Sequence, residues 1–479
     1  MVDRKRKIKA GFLVIGSPRY GFRGEGTKHG TCKDRVDKEA GKLIERFKEV
    51  GEIIFPGVIY TRKEVIDAAD CFYNNRVDFI IAMYLTWAED FAWIRFLRDI
   101  PDIPIFLCCI REKKYQLGNL TETDNLLEFI KAARHVGTLQ ATGSIHRVAA
   151  RRIKVFAGDI DAAVREAGFF GRAAKTKSLL KMSVFGLLPS FHEVMWSTYL
   201  DPFDFFVKVG PELRFVQVST LAEEISKVSD ETAEKLTRSI EERFVVANDV
   251  ERSTFIESVR ASIGVERMAR KLGLDVVVLN DIDPGLISLL GLRPGFCPAS
   301  FDADAAIVTS EGDIGAALAV YILKIMSDNI VNFTELFYPD IENGTFIAGH
   351  GGPNDYTNPK YCENVKVVVD NRFAKTNNKF AGAPFAWVRF SPGKKTMLNI
   401  TECGSNYQVV CTLVDSLDGD LFLQNYSHSV LKPSIPIDEF FTRCMNLGIT
   451  HHWGLTDGDY SVEVKQFCSL MGFEYNFIG

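Results

Sequence analysis

Between residues 9 and 136 the chain alternates short, almost uninterrupted apolar runs with amphipathic stretches, and no other feature restricts its fold as much. Runs at 9–15, 52–58, 77–83 and 103–109 read as strands, and 33–50, 61–74, 88–98 and 124–136 as helices. A strand with one wet face alternates polar and apolar residues. A strand apolar throughout must be covered on both faces, which a parallel sheet flanked by helices achieves. The pattern predicts a doubly wound α/β domain over residues 1–170.

A second region of the same kind is expected over 171–327. Strands are predicted at 181–187, 213–218 and 275–279, with helices at 222–228, 230–244 and 250–272. The third strand runs into Asn-Asp-Ile-Asp-Pro-Gly at 280–285, a turn-rich loop at the carboxyl end, where such sheets gather their ligands. A helix is expected over 311–326. Ser310 would be its N-cap and Asp313, three residues on, would complete a capping box. Glu311 then stands in the first turn with no capping duty, where free N–H groups favour a carboxylate facing a cleft.

Beyond residue 328 the period shortens. Alternating runs at 346–350, 365–369, 386–390, 397–400, 408–414 and 420–424 are separated by Gly, Pro, Asn and Asp, and a helix over 461–471 closes the chain. That pattern predicts an antiparallel β-rich domain, barrel or sandwich, over 328–479. The fold class is therefore α/β: two doubly wound parallel-sheet domains followed by a β-rich C-terminal domain. At 479 residues the chain is too long for one core.

A net charge of −5 argues against nucleic acid or an anionic membrane as the main partner. No stretch approaches the ~18 uninterrupted apolar residues of a membrane span. The basic opening leads only into the apolar run 11–15, too short for a signal-peptide core. The ten cysteines are scattered without a Cys-x-x-Cys, as expected for reduced thiols in a cytoplasmic protein. Gly24, Gly26 and Gly30 miss the Gly-x-Gly-x-x-Gly spacing of a dinucleotide loop.

Chemistry concentrates in the last third: Glu311 in Ser-Glu-Gly-Asp, Glu335 in Phe-Thr-Glu-Leu-Phe, His350 in Ala-Gly-His-Gly-Gly, and His451-His452 in Ile-Thr-His-His-Trp-Gly. Any one of these alone is most simply a solvated charge or a satisfied core histidine. Together, two carboxylates and two imidazoles in apolar settings give a divalent metal four ligands and leave positions open for substrate oxygens. Their spacing forms no local metal motif such as His-Glu-x-x-His.

The stretch Phe-Leu-Val-Ile-Gly-Ser-Pro-Arg-Tyr-Gly at 12–21, Phe185-Gly186, Met195, Leu-Arg-Pro-Gly at 292–295, Ser-Glu-Gly-Asp ending at Asp313, Gly349-His350 and His451-His452 follow one another in an order that resembles the L-arabinose isomerase / L-fucose isomerase superfamily. The resemblance implies a metal-dependent aldose–ketose isomerase. Glu311 and Glu335 would be metal ligands and acid–base groups, and His350 and His452 imidazole ligands, with His451 a one-residue alternative to His452. It implies Mn²⁺, or another divalent ion such as Co²⁺, Mg²⁺ or Zn²⁺. It also implies a sugar substrate and a homo-oligomer, hexamer or trimer, in which one subunit's N-terminal domain roofs another's site.

Arg19, Tyr20, Trp87, His192 and Met195 are the candidate substrate contacts. For Trp87, and for Trp196, core packing is the simpler reading, and for His192 a structural role; for Arg19 a surface ion pair and a sugar contact weigh equally. The loop bearing Arg19 and Arg23 departs from the neutral loop of arabinose isomerases, as does the aromatic stretch 189–204. Two alternatives follow: an isomerase of an anionic, for example sulfonated, hexose, and a non-catalytic sugar-binding or regulatory protein.

Overall fold

A computed structural model describes every residue except 101, 116, 149–151, 303, 358–364 and 372–381. It divides into two compact units, Arg6–Ser178 and Leu179–Gly479, the latter including Met1–Lys5.

The unit Arg6–Ser178 is built on strands β1 (Lys9–Ile15), β2 (Glu52–Ile54), β3 (Val58–Ile59), β4 (Phe79–Tyr84), β5 (Ile105–Ile110) and β6 (Ile153–Gly158). Its sheet is parallel in the order β2-β1-β4-β5-β6, with β3 also on β1. Every residue of β4 and β5 is buried, which is why these runs are apolar throughout. Helices Cys32–Phe47 and Arg62–Asn74 each open on a threonine capping box, Thr31 with Asp34 and Thr61 with Glu64. β6 and the helix Arg134–Val148 escape the sequence reading. The strand is only partly covered, and the helix has no one-sided apolar stripe.

The second unit contains β7 (Val184–Leu188), β8 (Glu212–Phe215), β9 (Val245–Val246), β10 (Val276–Leu279) and β11 (Ile307–Thr309). Four of them form a parallel sheet, β11-β10-β7-β8, in which connections leave β7 in both directions. Then follow β12 (Val331–Asp340), β13 (Thr345–His350), β14 (Val365–Val369), β15 (Pro384–Val388), β16 (Gly393–Cys403), β17 (Asn406–Ser416), β18 (Ser427–Pro433), β19 (His452–Asp457) and β20 (Glu474–Ile478). The sheet β16-β19-β12-β13-β18-β17 closes through β16–β17 pairing into an antiparallel barrel, and β20 joins β17 in parallel. Of barrel and sandwich, the barrel is realised. β9, β14 and β15 form a separate small sheet.

The run 420–424 is not a strand. It lies in the loop before β18, where Leu423 O accepts the Trp387 indole N–H at 3.1 Å. The sequence reading has no strand at β12, β18, β19 or β20. Helix Ile314–Ser327 is apolar nearly all round and buried along almost its whole length, touching β10 and β11 as well as β12, β16 and β19. Among the described residues, no helix is long and apolar enough to cross a membrane.

Candidate metal centre

The parallel sheet of the second unit supplies one half of the site at its carboxyl edge. β11 ends at Thr309, and after Ser310 the chain turns left-handed at Glu311 (φ 60°) and Gly312 (φ 66°). A left-handed glutamate costs roughly 1–2 kcal/mol, so something must hold it. Its N–H donates to Asp281 Oδ1 at 3.0 Å, from the loop after β10. Gly312 is required outright, since a Cβ there would lie 2.9 Å from Ser190 O and 3.1 Å from His192 N.

This turn corrects the expected helix start. The helix begins at Ile314, and Asp313 is its N-cap, accepting the Ala316 N–H at 2.9 Å. Ser310 does not cap, and Glu311 lies outside the first turn, in the bend before it. The sequence placed a serine cap three residues too early because the left-handed Glu311–Gly312 bend cannot be read from side-chain pattern.

The barrel supplies the other half. Glu335 in β12 pairs directly with His452 in β19 and with Gly349 in β13, and His350 is the last residue of β13. Residues directly opposite in an antiparallel pair project from the same face, so Glu335 and His452 are neighbours by register. His452 Nε2 lies 3.4 Å from Glu311 Oε2 and 3.3 Å from Glu335 Oε1. His350 Nε2 is 3.5 Å from Glu311 Oε1 and 3.7 Å from Glu335 Oε1. One donor atom from each of the four lies within 4.8 Å of all the others. Both imidazoles are buried; the carboxylates are partly open.

Burial alone would push the Glu311 and Glu335 carboxyls up. Close polar approach of the imidazoles, the His452–Glu335 contact among them, outweighs it and holds both below the usual carboxylate range. Burial lowers His452, but Asp313, Glu311 and Glu335 together raise it well above an ordinary imidazole. Asp313 Oδ2 meets His452 Nδ1 at 2.9 Å, so one carboxylate both caps a helix and orients a ring. The Phe333 ring packs 4.7 Å from each imidazole and restricts their rotation.

Two carboxylates and two imidazoles suit a hard-to-borderline divalent cation. The buried His350 Nε2 finds no hydrogen-bond partner, as a nitrogen meant for a ligand would not. Its Nδ1 accepts the Gly352 N–H at 2.9 Å, which leaves the neutral ring's proton on Nε2. Ligation there requires that proton to move to Nδ1 and the amide contact to give way. Asp313 already sets the ligating tautomer of His452 by accepting at Nδ1.

His451 is exposed and lies against His452 with centroids 3.9 Å apart and planes tilted by 39°; its ring is not among the four grouped donors. His192 is buried beside the Glu311–Gly312 turn, its Nδ1 accepting the Val194 N–H at 3.2 Å. Met195 is half-buried nearby, its N–H donating to His192 O. Trp196 is exposed and packs into no core. Arg19, Tyr20 and Trp87 belong to the unit Arg6–Ser178. There Arg19 pairs with Glu89 at 2.7 Å, and the Tyr20 and Trp87 rings meet edge-on at 5.7 Å. The orienting role of Asp313 was missed, because its capping signature explained it fully.

No family model matches the chain. It is 25% identical over 333 residues to an L-arabinose isomerase of Lactiplantibacillus plantarum, covering 64% of this chain and 66% of that protein. It is 30% identical over 151 residues to an L-arabinose isomerase of Levilactobacillus brevis, covering 29% of this chain and 30% of that protein. The chain thus spans just under two thirds of the first relative and under a third of the second. It is distantly related to the L-arabinose isomerases, which agrees with the arabinose side of the resemblance.

Proposed function

We propose that this chain is a divalent-metal-dependent aldose–ketose isomerase acting on a free sugar, as a member of the L-arabinose isomerase / L-fucose isomerase superfamily. The observation that carries the reading is the convergence of Glu311, Glu335, His350 and His452, residues remote in sequence, with donor atoms within 4.8 Å of one another. A pure sugar binder has no need of such a set.

Glu311, Glu335, His350 and His452 would hold the ion, with Mn²⁺ the expected choice. A bound divalent ion supplies Lewis-acid stabilisation of the negative charge that develops on adjacent sugar oxygens. The chain's own residues move protons. One glutamate takes the proton from C2 of the aldose, leaving a cis-enediolate, and returns it to C1 of the ketose. The hydroxyl proton at O2 passes to O1 with the help of the second. Both carboxyls are held below the usual range and are therefore ionised, the form in which a base acts. Arg19 is already paired with Glu89, so nothing in its setting favours an anionic sugar over a neutral one.

The test is a panel of pentoses, 6-deoxyhexoses and acidic hexoses with Mn²⁺, followed by NMR for ketose. Conversion of none of them would overturn the reading; preference for the acidic sugars would transfer it to the sulfonated-hexose alternative. Sizing of the purified protein tests the accompanying proposal of a homo-oligomer.

A pH dependence follows. The pKa of His452 is raised, so its proton persists as pH climbs past the ordinary imidazole range, whereas ligation through Nε2 needs it gone. Mn²⁺ affinity is therefore expected to rise with pH from the ordinary imidazole range upward, by up to about tenfold per pH unit where one proton leaves for each ion bound. A flat affinity in a Mn²⁺ titration across that range would show that His452 gives up no proton on binding.

A further inference from the structure

Behind the four donors lies a buried charged cluster that the proposed chemistry does not use. Asp281 follows β10 by two residues and is fully buried; Arg293 and Asp370 are almost so. The Arg293 guanidinium pairs through Nη2 with Asp281 Oδ2. Through Nη1 it reaches Asp370 Oδ2 and the Gly351 carbonyl, both at 3.2 Å. The other oxygen of Asp281 accepts the Glu311 N–H at 3.0 Å.

The connectivity is specific. Glu311 sits in a left-handed conformation that an L-residue adopts reluctantly, and the bond to Asp281 holds its backbone there. Gly351 is the residue after His350, on the other side of the site. One planar guanidinium therefore ties the Glu311 turn, through Asp281, to the His350 loop, directly. A fork with fixed donor directions can span acceptors from three chain segments at once; an ammonium on a flexible stem cannot hold all three in place.

We propose that Arg293 and Asp281 are positioning residues that set the gap between Glu311 and His350, and with it the site's affinity for a divalent ion, without touching the ion themselves. The proposal rests on the metal-dependent reading above. A buried ion cluster is weak support for stability, since apolar replacements often do as well, whereas its geometry here leads to the two ligand-bearing loops.

The experiment is Mn²⁺ titration, read by EPR of the free ion, of the wild-type chain and of Arg293→Lys and Asp281→Asn, with thermal unfolding in chelator recorded alongside. Asp281→Asn is isosteric and guards against a folding failure in the arginine variant. Either variant, held below its own unfolding midpoint, should bind Mn²⁺ about ten- to a hundredfold more weakly, the loss usual for a ligand-orienting neighbour. Asp281→Asn is expected to melt earlier than the wild type, since it removes the charge that Arg293 faces. Wild-type affinity in a folded variant overturns the inference and leaves the metal reading standing. Unfolding of both variants overturns it too, by making the cluster a folding element. A wild-type chain that takes up no Mn²⁺ overturns the metal reading itself, and this inference with it.

Discussion

Changing Glu335 to glutamine is expected to lower isomerase turnover by about a hundred- to ten-thousandfold while leaving the barrel intact. The substitution keeps shape and removes only the charge. β12 keeps its pairing with β13 and β19, because those bonds are made by the backbone. What goes is one of the negative donors facing the two histidines and, on the proposed mechanism, a base for the carbon-bound proton. Glu311→Gln should behave alike, since its carboxylate approaches both imidazoles in the same way. Turnover with Mn²⁺, beside a melting curve, is the measurement. Full activity in either variant would take that residue out of the mechanism.

Asp313 should separate two roles held by one side chain. Asp313→Asn keeps an oxygen for the Ala316 N–H, so the cap survives. It presents an amide N–H₂ to His452 Nδ1, however, and so favours the tautomer with its proton on Nε2, the nitrogen needed for a ligand. Mn²⁺ affinity should fall about ten- to a hundredfold, and stability by less than in the alanine variant, since the cap is kept while the charge facing His452 is lost. Asp313→Ala removes cap and partner together. Stripping one member from a buried ion pair costs roughly 3–5 kcal/mol, and the lower end applies because Glu311 and Glu335 still face the ring. The lost cap adds about 1 kcal/mol. Urea unfolding in chelator resolves the two. If asparagine proved as destabilising as alanine and left Mn²⁺ binding unchanged, Asp313 would be a cap and nothing more.

The parallel sheets were legible because each buried strand announces itself. β4 and β5 are apolar at every position, and a short run of that kind between amphipathic helices has few other uses. The helices expected over 33–50 and 61–74 begin at Cys32 and Arg62, each behind a threonine capping box that the structure reveals. The barrel was harder. β12 reads Val-Asn-Phe-Thr-Glu-Leu-Phe-Tyr-Pro-Asp, and it is pairing on both sides that makes a strand of so mixed a segment. Strand propensity depends on neighbours, and a single sequence does not show the neighbours. The run 420–424 has the alternation of a strand but finds no partner, and a ladder needs two sides.

By itself the sequence determined the α/β class of both parallel sheets, the change to β structure after residue 328 and the closing helix Ser461–Met471, and it singled out Glu311, Glu335, His350 and the pair His451-His452 as candidate ligands. Local periodicity reports which side of a segment avoids water, and that suffices for element type. Only the tertiary structure decided that the barrel closes, that Glu335 lies opposite His452, that Glu311 turns left-handed with its N–H on Asp281, and that Asp313 reaches a ring 139 positions away. Those facts depend on register and on contacts between distant segments, which arise when faces of the chain meet and leave no trace in the spacing of residues along it.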